Sequence, residues 1–167
     1  MRGIGTVALA VAFEAKLAAR NASDYADFLI PYLTPTSRVL DVGCGEGTVS
    51  VGLARIAGHV VGVDLDEGAF ADARCHATDH GIDNVNFRTG NVYSLGLSDN
   101  EFDACLCHSV LEAIDRPLDA LHEIKRVLKP GGVFGAASVE YGGLILAGPK
   151  RAPPASLLHH PRAHLAA

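Results

Sequence analysis

Two patterns of apolar positions alternate along the chain: short runs of consecutive aliphatic residues, and longer stretches in which apolar residues recur at helical spacing. The runs at 38–42, 59–63, 102–107 and 133–137 read as strands, and 59–63 has the continuous character of one buried on both faces. Residues 84–88 alternate instead, with Val85 and Phe87 on one side, and make a further strand. Over 21–33 the helical set is Tyr25, Phe28, Leu29, Tyr32 and Leu33, with Asn21 or Ser23 as N-cap. A second helix at 48–57 buries Val49, Leu53 and Ile56, and a third runs from about 67 to 80 and stops at Gly81. After the starter Asp115-Arg116-Pro117, residues Leu118, Leu121, Ile124 and Leu128 share a helical face that Pro130-Gly131-Gly132 closes. Strands alternating with helices predict an α/β fold: a doubly wound parallel sheet with right-handed crossovers.

Composition narrows the class. The 167 residues are one domain's worth of chain, 49% hydrophobic content fills a core, and 20% charged residues argue against disorder. The net charge of −5 is unevenly spread, with every acidic residue before Lys150, so a nucleic acid is a poor partner for the body of the chain. Cys44, Cys75, Cys105 and Cys107 form no C-x-x-C pair and have no histidine at metal-finger spacing, which points to free thiols in a reducing cytoplasm. The apolar stretch 4–13 behind Met1-Arg2 has the look of a short signal sequence but is too short to span a membrane, and it reads as a helix or a frayed end.

Candidate chemistry sits where the first strand runs into a glycine-rich turn, Gly43-Cys44-Gly45-Glu46-Gly47-Thr48, and where Asp64 and Asp66 end the next apolar run. Glycines let the backbone approach a ligand, and a carboxylate beyond the second strand accepts ribose hydroxyls. A dinucleotide site wants a third glycine where Thr48 stands, and Asp41 ahead of the turn repels a pyrophosphate while suiting a cationic ligand such as a sulfonium with an ammonium group. The turn favours S-adenosylmethionine over a nicotinamide dinucleotide.

Val39-Leu40-Asp41-Val42-Gly43-Cys44-Gly45-Glu46-Gly47, Val60-Val61-Gly62-Val63-Asp64, Glu101-Phe102-Asp103 and Val127-Leu128-Lys129-Pro130-Gly131-Gly132 occur in the order and spacing of the class I S-adenosylmethionine-dependent methyltransferases. Over about 20–149 the chain resembles the small-molecule branch that includes the ubiquinone and menaquinone biosynthesis enzymes. The resemblance implies a Rossmann-like sheet of strand order 3-2-1-4-5, S-adenosylmethionine as cofactor, and in-line methyl transfer to a small-molecule acceptor without a covalent intermediate. It implies that Asp41, acting through water, and the backbone of Gly43, Cys44 and Gly45 hold the methionine end, that Asp64 accepts the ribose hydroxyls, and that Leu65 packs on adenine. Asn91 stands where the family commonly has an aspartate accepting from the adenine amino group; its carbonyl can still accept that bond, and Val92 and Cys107 complete the cofactor set. His108 follows the fourth strand, where the family places residues facing the methyl group, and is either a general base or a structural histidine. Tyr25 and Tyr141 either cover the site or are ordinary packing and loop residues.

The predicted organisation is an N-terminal extension at 1–20, the cofactor-binding domain at 21–149 and a loosely docked tail at 150–167. Relative to the family, the last helix and the final antiparallel strand pair are expected to be missing, as in a truncated gene, leaving the fifth strand an open edge prone to self-association. The rival readings are a catalytically incompetent cofactor-binding fragment and an NAD(P)-dependent oxidoreductase. No metal dependence is expected; His159, His160 and His164 in the tail offer only adventitious ligands, and His122 is a surface residue.

Overall fold

The computed structural model describes residues 21–138 and, as backbone, 144–147. The calls made above on 1–20, on Tyr141 and on the tail histidines lie outside the described residues. Six strands form one sheet of order β3-β2-β1-β4-β5-β6: β1 (Arg38–Val42), β2 (His59–Asp64), β3 (Val85–Thr89), β4 (Phe102–His108), β5 (Leu128–Ala137) and β6 (Leu144–Ala147). The first five are parallel, in the predicted order.

Alternation along the central strands divides the core between the two faces of the sheet. Val39 of β1 and Ala104 and Leu106 of β4 pack with Leu53 and Ala54 of α2 (Thr48–Ala54) and with Phe28 and Leu29. Leu40 of β1 and Cys105 and Cys107 of β4 point the other way, onto Ala120, Ile124 and Val127 of α4 (Pro117–Val127). A third cluster joins Val51 of α2 to Phe70, Ala73 and Ala77 of α3 (Phe70–Asp79) and Phe87 of β3. Burying residues on both faces is what makes these strands continuous apolar runs in the sequence.

Helix ends follow local chemistry. The stretch 21–33 is not one helix: Asn21 caps the short α1 (Ala22–Tyr25), and after a turn a separate 3-10 turn spans Ile30–Tyr32. Pro31 is the reason, since its ring has no N–H to donate and would clash with the carbonyl four residues back. α3 stops at Gly81, φ +64°, where Gly81 N–H donates to Thr78 O and Ile82 N–H to Ala77 O, the pair of bonds of a Schellman turn. The α4 stripe is shifted from expectation, with Leu118 69% exposed and Ala120, Ile124 and Val127 inward. The helix also ends before Pro130, whose ring holds Lys129 extended. β5 thus starts at Leu128 and carries a register shift against β4 between Phe102 and Ala104.

The expectation of an open edge at β5 is overturned. β6 pairs antiparallel with it from Phe134↔Ala147 to Ala137↔Leu144, so one antiparallel strand of the kind expected to be missing is present.

Candidate functional site

The strand order reverses between β1 and β4, and a crevice opens outside the carboxyl ends of these two strands, where open α/β sheets place their ligands. A cavity of about 400 Å³ lies there, lined among others by Asp41, Gly43, Cys44, Gly45, His108 and Ser109. That volume is in the range of small-molecule sites, about 300–1,000 Å³.

The glycine turn is fixed by hydrogen bonds to the neighbouring strand. Gly43 and Cys44 N–H both donate to Val63 O, at 2.7 and 3.2 Å, and Gly45 N–H donates to Asp64 Oδ2 at 2.8 Å. Asp64 Oδ1 in turn accepts from Asp66 N–H at 3.1 Å. The carboxylate expected to meet a ribose also bolts the turn to the end of β2.

The turn's glycines face different surroundings. Gly47, φ +71°, lies against the packed interior: a Cβ there would stand 2.6 Å from the Phe87 ring and 2.8 Å from Ala73 Cβ. Gly45, φ +50°, would meet nothing within 4 Å, so its backbone fronts open space. Such a position suits a ligand lying against the main chain.

Asp41 is only 2% exposed, and its Oδ2 accepts a 2.5 Å hydrogen bond from Ser50 Oγ in the first turn of α2. Cys44 lines the cavity beside it, and burial, then the charges of Asp41 and Asp64, push its thiol well up. Cys107 is pushed up to about 12 by burial, then by Asp41 and Glu112.

On the far wall, His108 closes β4 and is 8% exposed. Its Nδ1 lies 3.1 Å from Ser109 Oγ, and the Tyr25 ring meets it edge-on with centroids 5.1 Å apart. Ser109 has φ +57°, a conformation unusual for serine, and its N–H is tied to Ala137 O at 2.8 Å.

The structure therefore brings Asp41, Gly43, Cys44, Gly45 and His108 together around one cavity, with Asp64 joined through Gly45. Leu65 stands 69% exposed just past Asp64. Asn91 is exposed and its Oδ1 accepts from Tyr93 N–H at 2.9 Å, so the carbonyl expected to read an adenine is engaged in its own loop. Val92 and Cys107 belong to the core on the α4 side. Ser50 and Ser109 were not legible as site residues. Ser50 carried one weak signal, its place in the first turn of the helix that follows the glycines; Ser109 carried none, because a strained backbone angle leaves no mark on a single sequence.

A family model described as a methyltransferase domain matches residues 33–152. The chain belongs to that family. Among relatives, a ubiquinone biosynthesis O-methyltransferase from Alkalilimnicola ehrlichii is 41% identical over 96 residues, 57% of this chain and 38% of the relative. Among solved structures, the cyclase SpnF matches with TM-score 0.64 and 34% identity, covering 69% of this chain and 44% of that one. An S-adenosylmethionine-dependent methyltransferase from Aquifex aeolicus matches with TM-score 0.59 and 26% identity, covering 64% of this chain and 58% of that one. The chain spans about two fifths of the length of the curated relatives it matches. These likenesses bear out the class I methyltransferase fold and the resemblance to its ubiquinone branch. Among the described residues no helix is long and apolar enough to cross a membrane.

Proposed function

We propose that this methyltransferase domain, spanning 21–149, binds S-adenosylmethionine in the β1–β4 cavity and methylates a small-molecule acceptor in the cytoplasm. The observation that carries the reading is the Gly45–Asp64 pairing: a turn open to the cavity at Gly45, backed by a carboxylate at the end of β2. The residues present fit the cofactor's chemistry. Asp41 and Asp64 place acidic groups where a cationic amino-acid end and a ribose diol want acceptors, and the open face at Gly45 leaves room for a ligand against the backbone.

When bound, the cofactor supplies an electrophilic methyl on a sulfonium, passed in line to the acceptor. The protein's part is to position, and positioning supplies much of the acceleration in such displacements. Asp41 and the backbone of Gly43 to Gly45 hold the methionine end, Asp64 takes the ribose hydroxyls, and exposed Leu65 gives adenine an apolar surface to cover. His108, at the carboxyl end of β4 on the cavity wall, receives the proton of a hydroxyl or activated-carbon acceptor.

Titration calorimetry with S-adenosylhomocysteine tests the reading. Saturable binding is expected, weakened at least about tenfold in Asp64→Ala through loss of charge-assisted hydrogen bonds. A folded wild-type chain that ignores S-adenosylhomocysteine, or binds NADH in preference to it, sinks the proposal.

A further inference from the structure

A buried carboxylate needs donors, because desolvation penalises it. Asp41 is 2% exposed, and the hydroxyl that meets its Oδ2 at 2.5 Å belongs to Ser50, which has no exposed surface at all. The spacing is short for an O–H···O bond and typical of one to an ionised acceptor.

Several features make this contact more than a packing accident. A serine inside a helix ordinarily returns its hydroxyl to a carbonyl one turn back; here the bond goes out of α2 to β1. Thr48 and Val49, the two residues ahead of Ser50, line the cavity, as does Asp41, whereas Ser50 sits behind them. Alternation places Asp41 on the face of β1 that carries Val39, the face covered by α2, so the strand presents the carboxylate to this helix and to the cavity mouth together. Burial first, and next the charge of Asp41, raise the thiols of Cys44 and Cys107.

We infer that Ser50 is a positioning residue of the cofactor site: its hydroxyl sets the carboxylate of Asp41 for the ammonium-bearing end of the ligand. The inference rests on the S-adenosylmethionine reading given above. Ser50 touches no ligand itself; it acts through Asp41.

The test uses two probes that differ in that end alone, S-adenosylhomocysteine and 5′-methylthioadenosine, which lacks the amino-acid portion. Titrated into the full chain, Ser50→Ala is expected to weaken S-adenosylhomocysteine about tenfold, the scale of one hydrogen bond to a charged group, and to leave 5′-methylthioadenosine within about twofold. In an Asp41→Asn background the same substitution should add nothing, since the partner through which Ser50 acts is altered. Ser50→Cys keeps the volume with a weaker donor, and should show the same selective loss if Ser50→Ala does not fold. Equal loss for both probes, or none for S-adenosylhomocysteine, overturns the inference. Wild-type chain that binds neither probe overturns the cofactor reading instead, so the two failures are distinct.

Discussion

At the amino ends of the strands, carboxylates meet cations. Asp103 accepts from Arg38 N–H and from Lys129 Nζ, both at 2.8 Å, and Arg38 reaches Glu101 at 2.7 Å. Beside them Arg126 joins Glu123 and Asp99, while Glu123 Oε1 accepts from Leu95 N–H at 2.8 Å. At the carboxyl ends of the same strands, the bonds described to Asp41 and Asp64 come from a serine hydroxyl and from backbone N–H groups, and they leave the carboxylates facing a cavity or the turn that borders it. One end of the sheet joins its charges in ion pairs; the other sets them beside a cavity. Substitutions should therefore divide into those read by unfolding and those read by binding.

The largest effect is expected at Gly47, which belongs to the site turn by position but to the core by contact. Gly47→Ala should cost about 3 kcal/mol in urea unfolding, from a left-handed backbone and from overpacking against Phe87 and Ala73. At the amino end, Glu123→Ala should cost about 2 kcal/mol, since it leaves Leu95 N–H without its acceptor and Arg126 with Asp99 alone, with S-adenosylhomocysteine affinity unchanged.

Asp103→Asn is smaller, about 1 kcal/mol at neutral pH, because the carboxylate is partly exposed. Burial pushes Asp103 up, but the Arg38 N–H and the Lys129 ammonium together outweigh it and hold the carboxyl below its ordinary range. Its contribution is thus present above the unfolded-state value of about 3.9 and lost as pH falls through the lower folded-state value, so wild type and variant should converge in acid unfolding. Gly45→Ala should cost stability no more than Asp103→Asn, about 1 kcal/mol from φ alone, yet this variant should lose S-adenosylhomocysteine binding because its methyl enters the ligand's space. A Gly45→Ala chain as unstable as Gly47→Ala, or one that binds normally, would break the contrast between the open and the packed side of the turn.

The five parallel strands were legible because each buried strand is an apolar run and each crossover helix has its own period, while their order came from the family resemblance. Asp41, Gly43, Gly45 and Asp64 were legible because a turn that lets the main chain approach a ligand must be written in glycine, with carboxylates at strand ends. The break at Pro31 was visible as a residue but was outvoted by the apolar spacing around it. Leu118 misled for the same reason: it fits the period, but Ala120 and Val127, less conspicuous in the sequence, hold the inward face. β6 was missed because a four-residue apolar stretch holds too few positions for a period to announce a strand. Asn91 and Ser50 depend on where a side chain turns, which spacing does not encode.

Cys44 gives the cavity one further property. A pocket that holds an alkylating agent exposes every nucleophile in its wall to that agent, and sulfur is the most dangerous of them. Burial and the two neighbouring carboxylates keep Cys44 a neutral thiol rather than a thiolate, and the neutral form is a poor nucleophile. With the methyl donor proposed above in the cavity, the carboxylates that suit its positive charge would also keep this sulfur from being alkylated.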